Sequence, residues 1–164
     1  MNVFQRIFTL RCILDIITEE ECSTLKEIFE DTQTKRFLPE IYELIDKPDG
    51  VQTFISVFNQ YHDNDQGVLL GIYKNDALLG FVAVMDLPEN PTLFYATHPE
   101  MRSQGYMKES VSYVIDYLRK MQCCQHISTD TYKENYASLN ILKGLGFMIH
   151  KEDEKKIYMS KSLV

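Results

Sequence analysis

Cysteine is scarce in this 164-residue chain, and its four copies are scattered. Cys12 and Cys22 stand alone, Cys123 and Cys124 are adjacent, and the spacing offers no zinc-type ligand pairs. A disulfide framework does not suit a chain this long with so few cysteines, so free thiols in a reducing cytoplasm are expected. Positive charge is also short: 17 Lys and Arg stand against 24 Asp and Glu, a net charge of −7. That balance argues against an extended nucleic-acid surface, which needs a basic stripe. It suits a cationic partner such as an amine better, although net charge also serves solubility. No apolar run is long enough to span a bilayer. The apolar start, Met1 to Leu14, carries Arg6 and Arg11 and no small-residue cleavage site, so it does not read as a signal peptide. A phosphate loop ending in Gly-Lys-Ser/Thr is missing, and so is the dinucleotide fingerprint G-x-G-x-x-G.

Hydrophobic residues make up 45% and charged residues 25%, which predicts one soluble globular domain over residues 1–164. Arg6 to Leu14 reads as a first strand. Thr18 and Glu21 form a candidate capping box before a helix with Cys22, Leu25, Ile28 and Phe29 on one face, ending near Asp31 to Lys35. Pro39 opens a second helical pattern through Ile41, Leu44 and Ile45, which Lys47-Pro48-Asp49-Gly50 breaks. Val51 to Tyr61 is helical by spacing. Val68 to Tyr73 and Leu78 to Met85 predict a hairpin around Lys74-Asn75-Asp76, and Thr92 to Thr97 a further strand. A long helix follows Gly105, with Met107, Val111, Val114, Ile115 and Leu118 on one face. Ile127 to Thr131 is a strand, Asn135 to Leu145 a helix, and Phe147 to His150 and Lys156 to Ser162 closing strands. The order predicts an α/β (α+β) fold, with a mixed, mostly antiparallel central sheet flanked by helices.

The stretch from His98 to Met107 carries the chemistry. A strand enters it, Pro99 stops that strand, and an amphipathic helix leaves it. The backbone N–H groups from Ser103 to Lys108 would lie unpaired at a helix start, where the helix dipole favours an anion. Gly105 lets a phosphate approach closely. Lys108 offers a further positive charge, or merely a solvated surface lysine.

This stretch resembles the acetyl-coenzyme A signature of the GCN5-related N-acetyltransferase (GNAT) superfamily: a strand, a proline, Arg or Gln, then x-x-Gly-x-Gly/Ala. Arg102, Gly105 and Met107 occupy the last three marked positions. Asn135-x-x-Ser138, followed by Leu145-Gly146-Phe147, is similar to a second block of the family. The early helices resemble the branch of ribosomal-protein alanine N-acetyltransferases. The resemblance implies acetyl-CoA as cosubstrate and no metal. Backbone groups of Tyr95, Ala96 and Thr97 would hold the pantetheine arm. Arg102, Ser103, Gln104, Gly105, Tyr106, Met107 and Lys108 would form the pyrophosphate cradle. Asn135 and Ser138 would lie near the thiol end, and Asn135 equally suits a helix N-cap. Two positions depart from the pattern. Met107 replaces a glycine or alanine, so its side chain must fold into the core. Leu142 stands where many members place a tyrosine as acid for the departing thiolate, which leaves water or the substrate ammonium as proton source.

Acetyl transfer needs a neutral amine and so a proton acceptor. Asp130, five residues before Asn135, is the first candidate base, ahead of Asp86, Glu109 and His98. His98 equally reads as a turn residue. Tyr95 and Tyr132 are candidates for the acceptor cleft, or for packing. The resemblance puts the acceptor pocket around residues 34–50 and 86–91. Phe37, Tyr42 and Phe54 would serve either a homodimer interface or the core, and Cys123 and Cys124 read as packing residues. The expected acceptor is a small amine or a protein N-terminus, with no nucleic acid or membrane as partner. The alternative is a CoA-binding module without catalysis.

Overall fold

The structure, a computed structural model, describes residues 4–164; Met1, Asn2 and Val3, where the apolar start read as lacking a leader begins, lie outside them. In chain order it forms β1 (Ile7–Phe8), β2 (Ile13–Ile16), α1 (Cys22–Glu30), α2 (Thr32–Phe37), α3 (Tyr42–Ile45), α4 (Gly50–Asp63), β3 (Val68–Lys74), β4 (Ala77–Met85) and β5 (Thr92–Thr97). Then come α5 (Tyr106–Lys120), β6 (His126–Tyr132), α6 (Tyr136–Gly144), β7 (Met148–Glu152) and β8 (Lys156–Ser162). Short 3₁₀ turns cover Glu19–Glu21, Pro39–Ile41 and Pro99–Met101. Among the described residues the strands make one sheet in the order β1-β2-β3-β4-β5-β6-β8-β7. Neighbours are antiparallel except β5 and β6, which are parallel.

The predicted hairpin is β3–β4. Asn75 (φ 50°) and Asp76 (φ 65°) supply the two left-handed residues that a type I′ turn requires. The predicted apolar face of α5 is fully buried: Met107, Val111, Val114, Ile115 and Leu118 pack on one sheet face with Leu139 and Leu142 of α6. The other face carries α1 and α4, whose Leu25, Ile28, Phe29, Phe54 and Phe58 meet Leu69, Phe81 and Ala83. Each such side chain contributes about 1.5–3 kcal/mol when fully buried. Tyr42 and Phe54, read as candidate interface residues, belong to this second core, and the Tyr42 hydroxyl donates to Phe29 O at 2.6 Å.

Three local expectations are corrected. The single strand over Arg6–Leu14 is two short strands, because Thr9 Oγ1 and Thr9 N both bond Cys12 O and turn the chain. The capping box is not reciprocal. Thr18 Oγ1 accepts from Glu20 N, but the Glu21 carboxylate takes hydroxyls from Thr18 and Tyr73 instead of reaching back to the cap. The reason is that Glu19–Glu21 winds as a 3₁₀ turn before α1 begins. The first helix stops at Glu30, and Asp31, extended at ψ 130°, starts α2 by accepting from Thr34 N at 2.9 Å.

One feature of the sheet positions the candidate site. β5 and β6 pair at Thr92 and Ser128, at their N-terminal ends, and then part. Thr129 Oγ1 still reaches Leu93 O at 2.9 Å, and beyond it the two strands form an open fork.

Candidate active site

At one end of the fork lies the turn between β5 and α5. His98 caps its 3₁₀ segment by accepting from Glu100 N at Nδ1, and its Nε2 meets Glu27, so this histidine shapes the turn. Ser103 (φ 63°) and Gly105 (φ 82°) are both left-handed and bend the chain sharply into α5. Among the described residues, the backbone N–H groups from Arg102 to Lys108 have no backbone acceptor, and no side chain caps α5. A row of donors at the positive end of a fifteen-residue helix suits an anion. Met107 is buried, as its side chain had to be for the cradle to stay clear, and Tyr106 is buried beside it.

The turn is braced by a residue that sequence reasoning passed over. Arg11, from the β1–β2 turn, donates from Nη1 to Gln104 O at 2.9 Å and from Nε to Glu109 at 2.7 Å. Its guanidinium lies 4.3 Å from the Tyr106 ring centroid, and Lys74 Nζ donates to the Tyr106 hydroxyl at 2.9 Å. A Cβ added to Gly105 would meet Arg11 Nη2 at 3.2 Å, so the absence of a side chain there is what keeps the turn open. Glu109 is thereby committed: it takes hydrogen bonds from Thr9 Oγ1, Arg11 N and Arg11 Nε. Burial pushes its carboxyl up, but the Thr9 and Arg11 bonds outweigh that and hold it below its ordinary range.

Two cations of the predicted cradle point elsewhere. The Lys108 ammonium lies against Gly144, where a Cβ would sit 3.0 Å from it, at the electronegative C-terminal end of α6. The Arg102 guanidinium turns to α2 and meets Asp31, Gln33 and Thr34. The exposed Ser103 and Gln104 leave the turn bounded by backbone.

Along the fork the backbone groups alternate in direction. His98 N bonds Leu79 O on β4, so Ala96, two residues earlier, also faces β4. Tyr95 and Thr97 therefore present their N–H and C=O groups toward β6, where the strand has left. Of the three residues expected to hold an arm, Tyr95 and Thr97 have open backbone, and Ala96 does not. The Tyr95 hydroxyl crosses the fork to Ser138 Oγ at 2.6 Å. Burial pushes the Tyr95 hydroxyl up to about 12, and the Ser138 bond partly offsets this. Asn135 caps α6 through Oδ1, which accepts from Ser138 N. It also lines a cavity of about 670 Å³ bounded by Thr32, Gln33, Arg36 and Phe37 of α2 and by residues 134–137. Arg36 and Glu134 form an ion pair at 2.8 Å across this space.

Asp130 is engaged. Lys156 Nζ donates to Asp130 Oδ1 at 3.0 Å and to Glu40 Oε1 at 2.5 Å, over the Tyr132 ring at 4.9 Å. Burial lowers the Lys156 ammonium, but its bonds to Glu40 and Asp130 dominate and raise it above its usual value. Neither Lys156 nor Glu40 was singled out from sequence. The β6–β8 register, with Tyr132 opposite Lys156, is what brings them together. Tyr132 also stacks near Phe37, centroid to centroid 6.4 Å. Asp86 stands exposed at the start of the β4–β5 loop.

Comparison with known proteins bears on the family and the fold. A family model described as an acetyltransferase (GNAT) domain matches residues 11–148. The chain is 24% identical over 162 residues to the uncharacterized N-acetyltransferase YoaA of Bacillus subtilis (strain 168), covering 96% of this chain and 89% of the relative. Among solved structures, it is similar to RimL, a ribosomal L7/L12 alpha-N-protein acetyltransferase in complex with coenzyme A. The TM-score is 0.80, the identity 9%, and the coverage 96% and 98%. The ribosomal-protein-S5-alanine acetyltransferase of Vibrio fischeri aligns with a TM-score of 0.79, 16% identity and 97% of each chain covered.

Proposed function

Because the chain belongs to the GNAT acetyltransferase family, we propose that it moves an acetyl group from acetyl-CoA to a primary amine by direct transfer in a ternary complex. The observation that carries the reading is the β5–β6 fork, with a row of free backbone donors at one end and Tyr95, Asn135 and Ser138 at the other. In this reading the turn from Ser103 to Lys108 receives the pyrophosphate, and the open groups of Tyr95 and Thr97 run beside the pantetheine arm. Asn135 and Ser138 meet its thiol end. The neutral amine nitrogen attacks the thioester carbonyl, the C–S bond breaks, the nitrogen sheds one proton as the amide forms, and the thiolate takes up that proton or one from water.

The acceptor we favour is a protein N-terminus. An α-amino group titrates near 7.7–8.0, whereas a lysine titrates near 10.4. An acceptor that arrives partly neutral asks least of a site whose first candidate base, Asp130, is already bonded to Lys156. The names of the solved relatives, two of which are ribosomal-protein acetyltransferases, support the same choice. Asp130 is assigned the proton of the fraction of acceptor that still arrives as ammonium, which must be removed before attack. The free cysteines suit a reducing cytoplasm.

Thermal shifts with acetyl-CoA, CoA and ATP test the cosubstrate, because a ligand that binds only the native state raises apparent stability. Stabilisation by acetyl-CoA and CoA is expected, and its absence sinks the proposal. Release of free CoA thiol is then followed with a peptide bearing a free N-terminus and with its N-acetylated, lysine-containing counterpart. Turnover with the first alone is expected. One observation favours a second reading, a binding module without catalysis: Leu142, at the position of the family's tyrosine, is wholly buried and carries no hydroxyl. Cosubstrate binding without thiol release on either peptide selects it.

A further inference from the structure

We propose that Arg102 is a positioning residue, whose side chain ties the anion-binding turn to α2 and thereby sets the wall of the cavity beside Asn135, where the thiol end of the acyl-pantetheine arm arrives. The inference rests on the coenzyme A reading above.

Arg102 directly precedes the left-handed Ser103, yet its guanidinium serves another element. Nη2 lies 2.5 Å from Asp31 Oδ2 and 3.2 Å from Thr34 Oγ1, and Nη1 lies 3.0 Å from Gln33 Oε1. The same Asp31 oxygen accepts from Thr34 N at 2.9 Å and Thr34 Oγ1 at 3.0 Å, which is the N-cap of α2. One carboxylate oxygen therefore both starts the helix and anchors the arginine. Burial pushes the Asp31 carboxyl up, and the Arg102 and Thr34 bonds more than reverse this.

α2 has six residues, too few to hold its shape or place without tertiary contacts. Its other ion pairs, Arg36 with Glu134 and Lys35 with Asp46, leave all four side chains between 61% and 68% exposed, so they contribute little. The Arg102–Asp31 pair is 29% and 15% exposed, which makes it the firmer tie. Thr32, Gln33, Arg36 and Phe37, the residues it holds, face Asn135 across the cavity. The anion donors are different groups. They are backbone N–H groups of the turn, braced from the other side by Arg11 on Gln104 O. The positive charge of Arg102 is already matched by Asp31. The two halves of the cosubstrate should therefore respond differently to loss of this side chain.

Calorimetry on the full chain tests this with three probes: acetyl-CoA, S-acetylpantetheine and adenosine 3′,5′-bisphosphate. Arg102→Ala is expected to weaken acetyl-CoA and S-acetylpantetheine about tenfold, ~1.4 kcal/mol, Asp31→Asn to weaken both by a smaller factor, and neither to change the bisphosphate by more than about twofold. Asn caps a helix as well as Asp, so Asp31→Asn keeps the cap and an acceptor for Arg102 but strips the tie of its ionic part, and it carries the test even where Arg102→Ala folds poorly. The double variant should bind no more weakly than Arg102→Ala alone, since both changes break one interaction. Arg102→Lys, which keeps the charge and loses the fork of donors, should fall between wild type and Arg102→Ala. Equal weakening of acetyl-CoA and the bisphosphate by Arg102→Ala would make Arg102 a phosphate ligand and overturn the inference. So would three unchanged constants in both single variants. A wild-type chain that binds none of the probes fails the coenzyme A reading itself.

Discussion

Tyr95 Oη and Ser138 Oγ stand 2.6 Å apart and join β5 to α6 across the place where β5 and β6 separate. The bond closes one side of the fork without filling it. Tyr95→Phe and Ser138→Ala are each expected to cost about 1 kcal/mol of stability, the usual net worth of such a bond. The double variant should cost clearly less than the sum. Urea denaturation of the four proteins checks this, and strict additivity would mean that the two hydroxyls do not interact in solution.

Gly105→Ala places a side chain where φ is 82° and where Arg11 Nη2 lies 3.2 Å from the new Cβ. A left-handed alanine costs about 1–2 kcal/mol, and Arg11 must give way. Loss of more than about tenfold in acetyl-CoA affinity is expected, because a shift of only 1.4 kcal/mol suffices for that. An unchanged dissociation constant would separate this turn from the cosubstrate.

Met107→Ala restores a residue type that the family pattern accepts. It also removes a side chain buried in the core with Val111, Leu139 and Leu142. A loss of about 2–5 kcal/mol is expected from the cavity, with acetyl-CoA affinity little changed because the backbone N–H remains. Thermal unfolding together with calorimetry separates the two effects.

Stability should fall on acidification through two tertiary pairs. Glu109 and Asp31 both titrate below their ordinary values in the folded chain, held there by Thr9 and Arg11 and by Arg102 and Thr34 against the opposing effect of burial. A depressed folded value contributes stability above the unfolded value and loses it as pH falls through the folded one. The expected decline therefore begins below the ordinary values of 4.5 for Glu and 3.8 for Asp and continues into lower pH. Glu109→Gln should be less stable than wild type at neutral pH and lose less on acidification. Denaturation midpoints between neutral pH and about pH 2 follow the difference, and parallel curves would remove Glu109 from the acid response.

Asp130→Asn keeps the shape of the side chain and removes its capacity to take a proton. A base of this kind is worth roughly 10²–10⁴-fold, so a turnover loss of at least that lower size is expected. Turnover equal to wild type would take Asp130 out of the mechanism and leave the transferase assignment intact.

Patterns with a short period were readable along the chain. The α5 stripe, the β3–β4 turn at Asn75-Asp76 and the N-cap at Asn135 all depend on residues within a few positions of one another. The divided first strand was not readable. Its apolar content runs straight through the turn, and only the Thr9–Cys12 bonds reveal it. The short α2 was equally hidden, since six residues carry too little periodicity to separate them from α1.

Apart from the split first strand and α2, the sequence by itself determined the order of elements, the apolar faces and where the turn before α5 falls, because propensity, periodicity and the backbone freedom of Gly105 are local properties. The tertiary structure alone decided which side chains serve that turn. Arg11 reaches it from the β1–β2 turn at the edge of the sheet, Arg102 turns away from it to Asp31, and Lys156 arrives from the last strand to engage Asp130. Each of these is a charged side chain bonding a distant segment, and its partner is chosen by the packing of the sheet, which no local pattern encodes.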